Sequence, residues 1–182
     1  PLINRTIESS YEPGSIYKMI TAIAGLESQN VTLTERINDT GVYVKYNEKR
    51  KCWYYTDYNK GHGWLDVVGA IQKSCNYFFY EMGRRLGVDT IEKYAKFFGL
   101  GEKTGIELSN EGKGKINFQY ESELATAAFG QGITVTPIQI AGAINAVVND
   151  GIYVKPSLIE AIVDEENNII ESFENEENRI FS

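Results

Sequence analysis

The sequence has little of what metal sites and disulfide scaffolds are made from: one histidine and two cysteines in 182 residues. With so few donors no zinc constellation is expected, and neither a metal nor a cofactor is assigned. The two cysteines, Cys52 and Cys75, cannot define a disulfide framework. A bridge between them would contribute on the order of 3 to 4 kcal/mol only with Cα atoms within about 7 Å, and two free thiols are the expectation. Positive charge is also scarce. Eighteen Lys and Arg face 25 Asp and Glu, a net charge of −7, and the basic run Lys49-Arg50-Lys51 is too short to form a nucleic-acid face, so nucleic acid is excluded as a partner. No stretch approaches the roughly 20 apolar residues that span a bilayer, and the residues from Pro1 onward carry no signal-peptide pattern. The chain as given reads as soluble, with any anchor upstream. No internal repeat is present.

What is there suffices for one domain with a real core: 42% hydrophobic and 12% aromatic residues. The stretch that organises it is Tyr11-Glu12-Pro13-Gly14-Ser15-Ile16-Tyr17-Lys18. Pro13-Gly14 is turn chemistry, and Ile16, Met19, Ile20, Ala22, Ile23, Ala24 and Leu26 follow with helical spacing, predicting a buried helix from about Ser15 to Glu27. Positions i and i+3 share a helix face, so Ser15 Oγ and Lys18 Nζ are expected to meet within hydrogen-bonding range. A lysine on a buried helix has its charged form disfavoured by desolvation, and a neutral lysine is a base. An isolated Ser-x-x-Lys pair is more often a cap and a snorkelling lysine. The Pro-Gly entry and the apolar helix favour a nucleophile and its activator.

Further along, Val31 to Val44 alternates as short strands or extended loop, and Tyr43 to Lys60 reads as a surface excursion closed by Gly61-His62-Gly63. Helices are predicted from Asp66 to Lys73, through Phe78, Met82 and Leu86 to Gly87, and from Asp89 to Gly99. Leu100 to Gly114 is glycine-rich loop, Glu121 to Ala128 a helix, and Gly130-Gln131-Gly132 a break. Thr136-Pro137 starts a helix over Ile138 to Asn149. Leu158 to Val163 and Ile169 to Phe173 make a hairpin, and the acidic tail Glu174 to Ser182 is expected to fray. Ser74-Cys75-Asn76 falls between two predicted helices. Each of Ser74 and Asn76 alone reads as a helix cap; together with Ser15 and Lys18 they read as a hydroxyl and an amide facing one cleft.

The ordered set of Ser15-x-x-Lys18, Gly61-His62-Gly63, Ser74-Cys75-Asn76, Phe129-Gly130-Gln131-Gly132 and Thr134-Val135-Thr136-Pro137-Ile138-Gln139 resembles the transpeptidase domain of class B penicillin-binding proteins. The resemblance implies an α/β chain: the helix-rich portion of the serine transpeptidase or β-lactamase-like fold, with a β-hairpin near the C-terminus and much of the central sheet absent, residues 1–182 forming a partial transpeptidase domain. It implies a peptidoglycan D,D-transpeptidase that cross-links cell wall through an acyl-serine and is acylated by β-lactams. Ser15 matches the nucleophile, Lys18 the general base, Ser74 the proton relay and Asn76 the substrate-amide contact. The implied partners are peptidoglycan stem peptides, β-lactams and a membrane glycosyltransferase, on the extracytoplasmic face of a bacterial membrane with an N-terminal anchor outside this chain.

Two further stretches evoke related motifs and are rejected. Lys103-Thr104-Gly105 sits in a glycine-rich loop rather than on the core strand that a third motif requires. Glu121-Ser122-Glu123-Leu124 is followed by Ala125 and reads as an acidic first helical turn. His62, between glycines and with no visible partner, is expected to order its turn. The family's third motif should follow the hairpin and does not, so these residues alone are expected to be inactive or very weak. A serine β-lactamase or β-lactam sensor, and a non-catalytic binding module of the same fold, stay as alternatives.

Overall fold

Helix α1 (Tyr17–Glu27) grows out of a 3-10 turn at Gly14–Ile16, and Gly14, at φ 57°, provides the left-handed step that lets the chain enter it. Tyr17, Ile20, Ala22 and Ala24 are all buried, as are Lys18 and Thr21, so the helix is enclosed nearly all round as its composition predicts. The computed structural model describes residues 2–45, 48–118 and 120–182. These fall into two units, Glu12–Ala95 with Ile116–Thr134, and Pro1–Tyr11 with Lys96–Lys115 and Val135–Ser182.

The first unit holds α1, then β1 (Ile37–Asp39), β2 (Val42–Lys45), β3 (Glu48–Lys51), α2 (Trp53–Tyr58), β4 (Gly63–Leu65), α3 (Val67–Gln72), α4 (Asn76–Phe97, within this unit as far as Ala95) and α5 (Glu121–Ala127). Strands β1 and β4 pair antiparallel with Asp39 opposite Gly63, and β2 pairs with β3. Met82 of α4 lies so close to α1 that a Cβ added at Gly25 would sit 2.5 Å from its Cε. Gly87, at φ 70° and ψ 173°, breaks α4 into segments 76–86 and 88–97, the two helices its sequence predicts. Helix α5 starts where expected, with the Glu123 carboxylate accepting from the Tyr120 N–H as an ordinary acidic first turn.

One expectation needs correcting here. Tyr43 to Lys60 is no mere surface excursion: it contains a strand pair and a helix, Cys52 is fully buried, and the buried Tyr43 donates to Glu81 at 2.7 Å. Aromatic rings with one polar tip can fill a core while looking like surface composition. Tyr46 and Asn47 of that stretch lie outside the described residues.

The second unit contains α6 (Pro137–Val148), β5 (Ile152–Val154), β6 (Ala161–Val163), β7 (Ile169–Ser172) and β8 (Glu177–Arg179). Thr136 and Gln139 cap α6 reciprocally, with proline at its first position. The hairpin β6–β7 forms as predicted. The tail does not fray: β8 pairs with β5, Ile180 N–H donates to Gly151 O, and Phe181 stacks on Phe98 at 5.7 Å. Backbone pairing and one aromatic anchor outweigh the acidic composition. Lys103-Thr104-Gly105 is loop, as expected, with Thr104 N–H and Oγ1–H both donating to the buried Glu111.

Candidate active site

The turn between α3 and α4 shapes the site. Cys75 N–H donates to Ala70 O and Ser74 N–H to Ile71 O, the two bonds of a helix-ending Schellman motif. The left-handed position of that motif is normally glycine; here it is Ser74, at φ 48°. Two groups beyond the helix hold it there, since Trp53 Nε1–H donates to Ser74 O at 3.1 Å and Lys18 Nζ to the same oxygen at 2.8 Å. The opposite wall is as tightly set. Gly14 N–H donates to Gly130 O, and a Cβ at Gly130 would lie 2.2 Å from Gly14 O, so the Gly130-Gln131-Gly132 loop can sit against the Ser15 turn only without a side chain. Thr21 Oγ1–H ties α1 to the end of α5 by donating to Ala128 O at 2.8 Å.

Lys18 is 2% exposed. Its amine donates three hydrogen bonds, to Ser74 O (2.8 Å), Ser74 Oγ (2.9 Å) and Asn76 Oδ1 (2.7 Å), while the Phe79 and Phe129 rings flank it at 5.7 and 5.6 Å. Burial pushes its pKa down to about 8, against the opposing pull of Cys75 and Cys52. Ser74 Oγ–H in turn donates to Ser15 Oγ at 3.1 Å, and Ser15 itself is exposed. The four predicted site residues therefore come together, but not as spacing alone predicts. A direct Ser15–Lys18 hydrogen bond was the expectation; instead the amine's three donors are taken by Ser74 and Asn76, and the link to Ser15 runs through the Ser74 hydroxyl. Sharing a helix face brings two residues near one another without saying which third group stands between them.

Beside this line lies a cluster that sequence reasoning missed. His62 does have a partner: its Nδ1 lies 2.7 Å from Asp39 Oδ2, and its N–H donates to the same oxygen at 3.2 Å. Close approach of the two strands requires Gly61, where a Cβ would sit 2.0 Å from Asp39 O. The His62 ring stacks on Tyr54 at 4.4 Å. Cys52 and Cys75 are free and fully buried, Cys75 Sγ–H donating to Asp39 Oδ2 at 3.3 Å and Cys52 Sγ lying 3.7 Å from His62 Nδ1. Proximity of the two thiols sets their pKa values apart, Cys52 lowered and Cys75 raised, with burial adding to the rise at Cys75. Burial pushes Asp39 up, but its bonds from His62, Gly41 and Cys75 hold it below the usual carboxylate range. The expectation that the chain lacks a metal-capable constellation is thus overturned, since one ligand atom from each of Asp39, Cys52, His62 and Cys75 lies within 4.8 Å of the others. Counting donors by type missed this because the four come from four separate segments. The one signal in the sequence was Cys75 itself, between two motif residues.

Comparison with known proteins places the chain. The family model for the penicillin binding protein transpeptidase domain matches residues 1–180, and the chain belongs to that family, with the class B members as its relatives. It is 42% identical to stage V sporulation protein D of Bacillus subtilis over 166 residues, which cover 88% of this chain and 25% of that protein. It is 32% identical to the peptidoglycan D,D-transpeptidase MrdA of Escherichia coli over 173 residues, 87% of this chain and 27% of that one. The chain thus spans about a quarter of the length of these relatives. The crystal structure of penicillin binding protein 3 of Mycobacterium tuberculosis, complexed with ampicillin, superposes with a TM-score of 0.86 at 27% identity, over 100% of this chain and 40% of that one. The fold is the α/β serine transpeptidase fold in its helix-rich part, as the motifs implied.

Proposed function

We propose that the chain carries the nucleophile of a peptidoglycan D,D-transpeptidase, with Ser15 attacking the carbonyl of the penultimate D-Ala of a stem peptide. The observation that carries the reading is the line Lys18–Ser74–Ser15, in which a desolvated amine with a pKa near 8 is connected through one hydroxyl to an exposed serine. When Lys18 is neutral its lone pair accepts, and both hydroxyl rotors reverse. The Ser15 proton then passes to Ser74 Oγ as the Ser74 proton passes to Lys18 Nζ, and the Ser15 Oγ–C bond forms. The Ser15 backbone N–H, in the first turn, contributes to holding the oxyanion; such a donor is worth about 3 kcal/mol in other acyl-transfer sites.

Collapse of the tetrahedral species breaks the C–N bond, and the proton returns from Lys18 through Ser74 to the departing D-Ala amine. An amine from a neighbouring strand then attacks the acyl-Ser15 ester, loses its proton to Lys18, and Ser15 leaves protonated. Asn76 fixes the amine end of this line through Oδ1 and has amide N–H donors for a substrate carbonyl. A β-lactam, whose strained amide imitates D-Ala-D-Ala, would acylate Ser15 the same way, in keeping with the ampicillin complex of the similar protein.

The two units are read as parts of one transpeptidase domain. Because its substrate is cell wall, the protein works on the extracytoplasmic face of the membrane, held by an N-terminal anchor and alongside the glycosyltransferase whose strands it cross-links. Among the described residues no helix is long and apolar enough to cross a membrane. The test is labelling of the whole protein by a fluorescent penicillin. One long-lived adduct on Ser15, absent from Ser15→Ala, is expected. An adduct on another residue overturns the assignment, and rapid turnover of the penicillin makes the protein a β-lactamase instead.

A further inference from the structure

We infer that a cleft along α4 is a second binding place for the cell-wall strand, apart from the acyl-serine site, with sugar against Tyr77 and stem-peptide carboxylates on Arg36 and Lys45. The identity of the ligand rests on the transpeptidase reading above. Three segments of the first unit line the cleft, whose volume is about 310 Å³. Tyr77, Glu81 and Arg85, spaced i, i+4 and i+8, form one stripe on the unbroken part of α4. Tyr43 and Lys45 stand two apart on β2 and so on one face of it, and Arg36 immediately precedes β1. The stripe begins at the residue after Asn76 and follows the helix for about 12 Å. The cleft therefore leads away from the turn that holds Lys18.

The charges in it are unequal. Glu81 is the one carboxylate lining the cleft among the described residues, and it is already engaged. It accepts from the Tyr43 hydroxyl at 2.7 Å, from Arg84 Nη2–H at 2.6 Å and from Arg85 Nε–H at 3.0 Å. Arg85 also reaches Glu35, at 2.7 Å. An ordinary ion-pair network accounts for these four charged residues. It does not account for Arg36 and Lys45, both exposed, which line the same cleft with no hydrogen-bonding or ion-pair partner among the described residues. On the other side of Lys45 a narrower slot continues the positive ground with Arg50 and Arg84. Residues 135–182, by contrast, carry nine Asp and Glu against two Lys and Arg. An acidic protein that must hold an anionic strand does so where its cations gather.

The walls select the occupant. Cations alone would take any anion, but an aromatic ring beside them suits the apolar face of a sugar, and the half-buried Tyr77 is set edge-on against Tyr43 at 5.2 Å. The two unpaired cations, one of them a forked guanidinium, suit carboxylates. A glycan strand bearing carboxylate-ended peptides at intervals presents both features, and repetition along it converts weak single contacts into firm holding.

The experiment is cosedimentation of the whole protein with purified sacculi, in a Ser15→Ala background so that no covalent adduct contributes. Binding should weaken severalfold between about 50 and 300 mM salt. Arg36→Glu combined with Lys45→Glu should weaken it by about tenfold or more, and the milder Arg36→Gln with Lys45→Gln by about threefold, each checked for folding by its melting temperature. Arg36→Lys with Lys45→Arg, which keeps both charges, should restore most of it. Tyr77→Leu, which keeps bulk and removes the ring, should weaken it by about threefold. Sacculi stripped of phosphate polymers with hydrofluoric acid should bind as untreated ones do. Binding indifferent to the charge variants or to Tyr77→Leu overturns the inference, and binding lost on acid stripping overturns it in favour of a phosphate polymer. Penicillin labelling of Ser15 in the wild type is read separately. Labelling without sacculus binding removes the cleft alone, whereas cleft-dependent binding without labelling removes the acyl-serine assignment and leaves the cleft standing.

Discussion

The Lys18–Ser74–Ser15 line and the Asp39–Cys52–His62–Cys75 cluster touch the same three-residue turn from opposite sides, yet only the first was visible in the sequence. The line is built from short-range chemistry: a helix that spaces Ser15 and Lys18 three apart, and a turn that puts Ser74 and Asn76 two apart. The cluster is built entirely from tertiary approach, with strand pairing at Asp39↔Gly63 and the bare backbone of Gly61 bringing His62 to Asp39. Periodicity and motif spacing report on the first kind of assembly. They are blind to the second.

The difference predicts what each mutation breaks. The largest effect belongs to the amine: in the whole protein Lys18→Ala should slow acylation by about 10² to 10⁴-fold, the range for loss of a positioned general base, measured as the second-order rate of penicillin labelling. Wild-type labelling by a folded Lys18→Ala protein would remove Lys18 from the mechanism. Next comes the hydroxyl between them. Ser74→Gly fits the φ 48° position without strain but deletes the only hydrogen-bonded link from Lys18 to Ser15 among the described residues, so acylation should fall by about 10²-fold while the melting temperature holds or rises. If instead the rate survives, proton transfer bypasses Ser74.

Breaking the cluster should act on stability first. Cys52→Ala, which empties a fully buried position, is expected to lower the melting temperature and to slow acylation less than Ser74→Gly does, since it removes no group that handles the proton. Equal losses of rate and stability in Cys52→Ala and Ser74→Gly would erase the distinction between the two regions. Gly130→Ala, which sets a methyl against the Gly14 backbone at a left-handed position, should cost about 1–3 kcal/mol by urea unfolding.

Elsewhere the same division between local and assembled structure holds. Helix α6 was legible to within a residue or so because Thr136, Pro137 and Gln139 encode its start chemically, and the break at Gly87 because a glycine there can take φ 70°. The β6–β7 hairpin was legible from two apolar runs around Asp164-Glu165-Glu166-Asn167-Asn168. Pairing of β8 with β5 was not, because Glu177-Asn178-Arg179 carries no apolar alternation and owes its conformation to a partner strand more than twenty residues earlier in the chain. In the site, Ser15, Lys18, Ser74 and Asn76 were all named from the sequence, and their geometry differed from expectation only where a third group intervened.

Desolvation of Lys18 is the claim on which the acyl-serine reading turns, and a pH profile reaches it most directly. With the amine pKa near 8, the neutral fraction falls about tenfold for each pH unit below that value and saturates above it. The penicillin acylation rate of the whole protein should therefore climb with pH up to about 8 and then level off. The fold's stability should shift in the same direction, lowest below the folded pKa and gaining as the pH rises toward the unfolded value of 10.5, because the unfolded chain holds the proton more tightly. An acylation rate that rises and levels near pH 8 in wild type, with that step missing from Lys18→Ala, is the predicted result; a wild-type rate that is flat through pH 8, or still climbing tenfold per unit beyond pH 10, would contradict the account.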